Sequence, residues 1–161
     1  MNINEIFREQ NYSRQSLRNR EFDACRMTLT VVTDAVLRRV VFKKSDLRGI
    51  DFETVAEFGF GIACEDSRLD NCSFVHRKMK ETPFRGGELR ECYFAGCDLS
   101  GAIFDGCLMS GTTFEQCNLS GIDLRTAIGY IIDPLGNRVV GARFSEYNLA
   151  GLVGSLGVVV K

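Results

Sequence analysis

Large apolar residues recur at every fifth position along most of this chain. One run reads Leu69, Phe74, Met79, Phe84, Leu89, Phe94, Leu99, Phe104, Met109, Phe114, Leu119, Leu124; an earlier one reads Leu17, Phe22, Met27, Val32, Leu37, Phe42, Leu47, Phe52. A period of five is neither the 3.6 of a helix nor the 2 of a strand. It marks a repeat protein. With each large residue taken as a centre, the position two before it is mostly small: Cys72, Cys92, Cys97, Ala102, Cys107, Thr112, Cys117. Glycine is frequent two after it, at Gly86, Gly96, Gly101, Gly106, Gly111 and Gly121. The remaining positions are mostly polar.

The pattern predicts a squared coil in which one large and one small side chain per five point inward. Glycine after the centre suits a corner with a tight turn or positive φ. Four units close a turn of about 20 residues, and turns stack roughly 4.8 Å apart through backbone hydrogen bonds. Residues 20 apart then share a column: Phe74 with Phe94 and Phe114, Phe84 with Phe104, Leu69 with Leu89 and Met109, Met79 with Leu99 and Leu119. Phenylalanine columns alternate with Leu/Met columns, which a five-residue period alone does not require.

The beat slips once, because Phe52 and Cys64 are 12 residues apart. Two extra residues in that turn reconnect Phe22 and Phe42 to the Phe84 column, and Val32 and Phe52 to the Phe74 column. Residues 54–63 are therefore expected to form a bulge in one continuous column, with Phe58 as its centre and Ala56 and Ile62 as small partners. A bulge can be a tolerated insertion or a working surface. Arg77 falls where a small inward residue belongs, so residues 76–83 are expected to leave ideal geometry. Arg20 raises the same problem near the first turn.

The stretch CDLSG AIFDG CLMSG TTFEQ CNLSG (residues 97–121) resembles the pentapeptide-repeat family, whose consensus is A(D/N)LXX. The resemblance runs over about residues 15–126. It implies an all-β, right-handed quadrilateral β-helix of about five coils; the handedness comes from the resemblance and not from the spacing. The tail, GIDLRTAIGYIIDPLGNRVVGARFSEYNLAGLVGSLGVVV, is similar to the C-terminal segment of bacterial members related to Qnr-type quinolone-resistance and microcin-immunity proteins. That likeness implies two things: a DNA-mimic modulator of type II topoisomerase (DNA gyrase), and dimerisation through the C-terminal end.

A solenoid exposes its core at both ends and needs caps. Ile3, Ile6 and Phe7 have helical spacing, so residues 1–14 are expected to cap the first turn. Residues 127–161 are expected to form a hairpin-plus-helix cap. In it, Tyr130–Asp133 and Arg138–Ala142 are strands joined by Pro134-Leu135-Gly136-Asn137. Leu149, Leu152, Val153 and Leu156 then line one helix face between Ser145 as N-cap and Gly157 as C-cap, with Val158–Val160 extended. This face has two open roles: sealing the last coil, or pairing with a second copy in a homodimer.

Composition narrows the chemistry. The chain has 161 residues, 45% hydrophobic and 25% charged, and is expected to form a single domain. The N-terminal stretch reads as no secretory signal and no run spans a membrane, so a cytoplasmic location is expected. Formal charge is −1, with 10 Lys/Arg against 8 Asp/Glu in residues 1–54 and 10 against 13 thereafter. Neither half is the polyanion that duplex mimicry asks for. Arg14, Arg18, Arg20, Arg38, Arg39, Lys43 and Lys44 are interleaved with acids, so nucleic-acid binding is not expected.

Of the 7 cysteines, Cys25, Cys72, Cys92, Cys97, Cys107 and Cys117 fall on the small inward beat and Cys64 on the centre beat. They read as free core thiols. Stacked pairs such as Cys72–Cys92 and Cys97–Cys117 are poorly oriented for a disulfide, and no CxxC suggests zinc. His76 and the carboxylates Glu65, Asp66 and Asp70 fall on outward positions. No nucleophile–base pair, phosphate loop or cofactor motif appears. The expected function is a non-catalytic scaffold for a protein partner, with no small-molecule substrate; the alternative is gyrase modulation.

Overall fold

The computed structural model describes residues 6–8 and 10–159. The chain winds as a parallel β-solenoid of about six turns. Its sides are named here by the centre they carry. The Leu89 side is a five-stranded parallel ladder of Ile6–Arg8, Arg26–Thr28, Asp46–Arg48, Arg68–Asp70 and Glu88–Arg90. The Phe84 side joins Glu21–Asp23, Val40–Lys43, Ile62–Glu65 and Phe84–Arg85, and further on Asp123–Leu124 with Arg143–Phe144. The Phe74 side stacks Ser73–Val75, Tyr93–Ala95 and Thr113–Glu115. The Met79 side has only single bridges, Ser16 to Val36 and then Lys78 to Asp98 to Asn118 to Arg138.

Every backbone N–H must find an acceptor, and the five-residue unit meets this demand position by position. The centre and the residue two after it donate to the following coil, as Leu89 to Leu108 (2.8 Å) and Glu91 to Ser110 (2.8 Å). The residue before the centre donates to the preceding coil, as Tyr93 to Cys72 (3.0 Å). Asp or Asn before the centre takes the N–H two residues on: Asp98 Oδ1 accepts from Ser100 and Asn118 Oδ1 from Ser120. That is a physical reason for Asp and Asn in this place.

The small inward residue meets one of two fates. At a hydrogen-bonded turn its N–H returns to the centre three residues back, as Ala35 to Val32, Ala102 to Leu99 and Ala127 to Leu124. Where a strand ends at the corner, its N–H needs a side chain from the next coil. Cys25 N–H donates to Ser45 Oγ, Ser45 N–H to Ser67 Oγ, and Cys92 N–H to Thr112 Oγ1. The first corner is made by alanine and also by Thr82 and Cys107; at the second, serine or threonine on the next coil supplies the acceptor.

The corner residue two after the centre is left-handed in nearly every unit, at glycines and also at Ala24 (φ 53), Leu29 (φ 49), Glu91 (φ 49) and Gln116 (φ 51), with Thr54 and Thr126 as exceptions. A non-glycine residue there costs about 1–2 kcal/mol, which the inter-coil hydrogen bond from its own N–H helps offset. At Gly96 a Cβ would lie 2.4 Å from His76 Nδ1, so a larger residue there requires the exposed His76 side chain to move.

Inside, Phe52, Phe74, Phe94 and Phe114 stack at 4.7, 4.7 and 5.1 Å between centroids, within 9° of parallel. Phe84 and Phe104 stack at 5.2 Å. The two columns meet edge to face, Phe84 on Phe94 at 6.2 Å and 84° and Phe104 on Phe114 at 6.3 Å and 84°. Both arrangements suit the ring quadrupole. Phe22 is half-buried over Phe42 at 5.3 Å. Leu69, Leu89, Leu99 and Leu119 are fully buried, as are Cys72, Cys92, Cys97, Ala102, Cys107 and Cys117.

Both ends depart from expectation. Ile6–Arg8 is a strand paired with Arg26–Thr28 and not part of a helix; Ile3 lies outside the described residues. Its amides have a ladder edge to join, which outweighs the helical spacing of three apolar residues. The hairpin is instead a further coil. Ile128 pairs with Leu108, Arg138 with Asn118, and Arg143–Phe144 with Asp123–Leu124, all parallel. Asn137 explains why: from the small inward position its side chain accepts the Cys117 N–H and donates to the Phe114 carbonyl, both at 2.9 Å. An antiparallel turn would leave those groups unpaired.

The cap is therefore confined to residues after Phe144. Two 3-10 turns, Glu146–Asn148 and Gly154–Leu156, flank a short α-helix, Ala150–Val153. Ser145 Oγ accepts the Tyr147 N–H, and Gly157 closes the segment at φ 72. The helix lies on the last coil so closely that a Cβ on Gly151 would sit 2.0 Å from the Tyr130 carbonyl. Ile132 N–H donates to the Gly151 carbonyl at 2.9 Å.

Phe94→Ala is expected to lower the unfolding free energy by about 3–5 kcal/mol, and Ser110→Ala on the outside to change it by less than about 0.5 kcal/mol. Urea titration of the two variants measures both; an unchanged midpoint for Phe94→Ala contradicts the stacked core.

Candidate interaction surface

Since the interior is filled, chemistry is left to the two outward positions flanking each centre. On the Leu89 side these alternate in sign. One column reads Arg26, Asp46, Arg68, Glu88 and the other Thr28, Arg48, Asp70, Arg90. Arg48 donates twice to Asp46 (3.0 and 2.9 Å), and Arg68 Nε to Glu88 at 2.8 Å. The Phe84 side is also mixed, with Lys43 on Glu21 at 3.0 Å and Arg125 on Asp123 at 2.7 Å. Hydrogen bonds from Arg125 hold Asp123 below the usual carboxylate range.

The Phe74 side carries Asp51, Glu53, Glu115 and Asp133 among neutral residues; Ser73 Oγ donates to Asp51 (2.7 Å) and the Tyr93 hydroxyl to Glu115 (2.8 Å). Duplex DNA bears about one negative charge per 1.7 Å, close to three per coil spacing of roughly 4.8 Å. This side offers about one carboxylate per coil, far short of a duplex surface. The Met79 side has the opposite character. Arg18, Arg38, Lys78, Lys80 and Arg138 flank its centres together with the half-buried Asp98, and Arg18, Arg38, Lys78 and Lys80 are exposed. Among the described residues none of those four lies within ion-pair distance of a carboxylate.

The two extra residues emerge on this cationic side. Val40 pairs with Ile62, an offset of 22, while Val41 pairs with Glu21 at 20. Ala56 N–H donates to Ala35 O (3.0 Å) and Gly61 N–H to Leu37 O (2.8 Å). Both ends of the insertion are thus tied to one short edge, and residues 57–60 leave the ladder. Phe58 is consequently not an inward centre: it is 82% exposed at the loop tip. Phe60 folds back instead, edge-on to Phe52 at 6.3 Å and 65°. Ile62 is buried and Ala56 half-buried.

Arg77 accounts for the fold-back. It occupies the small inward position and is only 7% exposed. One guanidinium N–H donates to the Glu53 carbonyl, and the guanidinium carbon lies 5.6 Å above the Phe60 ring. Nε and Nη1 have no partner. The surrounding coil keeps its geometry: Lys78 bridges Asp98, Met79 is buried, and Thr82 N–H returns to Met79 O at 3.1 Å. The distortion expected over residues 76–83 is absorbed by the loop. Arg20 points to solvent, with its carbonyl accepting the Val41 N–H.

Other candidate groups lie apart. All seven cysteines are free and buried. Cys97, Cys117 and Cys92 thiols reach the carbonyls of Phe74, Phe94 and Leu69 at 3.3, 3.4 and 3.5 Å. Burial raises the Cys107 thiol to about 11 and pushes Cys64 well up. Hydrogen bonding within the stacked pairs together with burial raises Cys92 and Cys117. His76, Glu65 and Asp66 are exposed and Asp70 half-buried. Among the described residues, no three His, Cys, Asp or Glu side chains are grouped to hold a metal. Among the described residues, no helix is long and apolar enough to cross a membrane. At the C-terminal end, Leu149 and Leu156 are exposed, while Leu152 and Val153 are half-buried. Tyr147, Val158 and Val159 add to the exposed apolar surface there.

Residues 88–125 match the family model for pentapeptide repeats, in 8 copies. Those residues form a run of pentapeptide repeats within the solenoid. Its fold is similar to a trypsin-treated form of QnrB1, described as a plasmid-mediated fluoroquinolone resistance protein. That likeness has 21% identity and a TM-score of 0.50, over 98% of this chain and 88% of that one. A second trypsin-treated QnrB1 structure gives 23% identity and a TM-score of 0.49 over the same shares. HetL, a pentapeptide-repeat protein involved in heterocyst differentiation regulation from the cyanobacterium Nostoc, gives 16% and 0.29, over 95% of this chain and 97% of that one. No curated protein matches the chain in sequence.

Two outcomes follow from these interior groups. Arg77→Ala is expected to leave the global unfolding free energy within about 1 kcal/mol of the parent, since a small residue fits this position and two unpaired donors disappear. Amide exchange over residues 56–61 is expected to accelerate. A loss of several kcal/mol with unchanged loop exchange would make Arg77 ordinary core filling.

The raised thiols bind protons in the folded state that the unfolded chain loses. Stability is therefore full below about pH 9 and falls as pH rises toward about 11 for Cys107, by about 1.4 kcal/mol per pH unit per ionised thiol. Urea unfolding across that range, with iodoacetamide labelling of folded protein as a parallel readout, checks it; a flat profile or labelling without unfolding contradicts it.

Proposed function

We propose that the chain is a non-catalytic scaffold of the bacterial cytoplasm that binds a protein partner, with the 56–61 loop as its principal contact. The observation that carries this reading is Phe58: a large aromatic held in water at the tip of a loop that Arg77 pins from below. A filled column offers no deep cavity for a small substrate, and a rigid side with one anchored aromatic suits a partner of complementary shape. The apolar surface around Leu149, Leu152, Val153 and Leu156 supports a second contact, pairing with another copy of the chain.

A second reading, modulation of DNA gyrase by duplex mimicry, draws on the likeness in fold to QnrB1. The sparse carboxylates of the Phe74 side and the alternating charges of the Leu89 side weigh against it.

The test is affinity capture from the native host, followed by a gyrase supercoiling assay with and without a quinolone. A stoichiometric partner is expected with the parent chain and with Ser110→Ala, and its loss with Phe58→Ser. Supercoiling and drug poisoning are expected to be unchanged at micromolar protein. Capture indifferent to Phe58 would remove the loop from the interface, and protection of gyrase would favour the second reading.

A further inference from the structure

We infer that the Met79 side and its loop take an acidic protein segment that carries an apolar side chain. This rests on the scaffold reading and adds the chemistry of the partner. Arg38 lies along the loop at Gly59, its Cδ 3.5 Å from where a Cβ on that glycine would be. Lys78 lines the other side, where it encloses a depression of about 400 Å³ with Phe58, Phe60 and Glu57. Arg18 lies one coil from Arg38, where the Asn19 N–H donates to the Arg38 carbonyl at 2.9 Å, and Lys80 flanks Met79 on the coil beyond the loop, so both extend the cationic surface.

Charge is sorted across the molecule. On the Leu89 side arginines stand opposite acids at successive coils, and Arg48 and Arg68 are ion-paired there with Asp46 and Glu88. On the Met79 side Arg18, Arg38, Lys78 and Lys80 stand without an ion-pair partner, around the most exposed phenylalanine of the described residues. Unpaired cations beside an apolar anchor complement a ligand with carboxylates around an aliphatic or aromatic group. A nucleic acid fits less well. Glu57 and Glu81 interrupt the cations, and a strand needs several stacking platforms where this surface exposes one.

The binding is measured by fluorescence anisotropy with a short labelled peptide of aspartate and glutamate bearing Phe-Leu at its centre. Micromolar binding is expected, weakened about tenfold or more by Phe58→Ser and by the pair Lys78→Glu and Lys80→Glu. It is expected to weaken as salt rises and to be unaffected by Arg90→Glu on the Leu89 side. Circular dichroism of each variant confirms that the solenoid is intact. No binding at about 100 µM, equal loss with Arg90→Glu, or tighter binding of an oligo-dT of matched charge would overturn the inference. If the peptide fails while Phe58→Ser still abolishes capture of the native partner, the acidic chemistry is wrong and the scaffold reading stands.

Discussion

Inter-coil hydrogen bonding is the constraint on which everything else in this protein depends. Three of the five amides in a unit bond to the coil above or below, so each coil must repeat its neighbour's backbone at one spacing. The other two amides are satisfied by the Asp or Asn before the centre and by a turn carbonyl or small polar side chain at the corner. Width follows from the same rule, because a side of five residues leaves room for one large and one small inward group. The parallel ring stacks are a consequence: rings on consecutive coils are held within the range of centroid distances at which parallel rings pack favourably.

The same regularity releases the outside. Outward side chains contribute little to the backbone network apart from the Asp and Asn positions, so their charges can be arranged by side at small cost to the fold. One side alternates sign, one is sparsely acidic, one is cationic. The loop is where the interior reaches that outer surface. Arg77 takes a place meant for a small residue and reaches the Glu53 carbonyl and the Phe60 ring, which fixes where Phe58 emerges. A buried guanidinium with two unpaired donors is an expensive way to fill a column, and loop placement is what it obtains.

Legibility varied with the kind of signal. The Phe74 and Phe84 columns were plain in the spacing, because a period of five and its multiple of 20 count residues in the way the coil does. Asn137 carried a readable signal, a small polar residue 20 after Cys117, but the Pro134–Asn137 turn residues pointed to a hairpin. Local turn propensity lost there to the unpaired groups of the previous coil. Helical spacing of Ile3, Ile6 and Phe7 lost to an open ladder edge in the same way. Counting puts Phe58 inside, because counting divides an insertion evenly while hydrogen bonds at Ala56 and Gly61 tie down both its ends.

The amino-acid sequence by itself determined the repeat, the inward positions, the place of the insertion and the anomaly at Arg77. These are periodic properties, and a periodic backbone reads them locally. Only the tertiary structure decided that residues 128–144 form another coil, that Phe60 turns in while Phe58 turns out, and that the unpaired cations gather beside it. Each of those outcomes depends on partners a coil or more away in the chain, whose positions no local pattern carries.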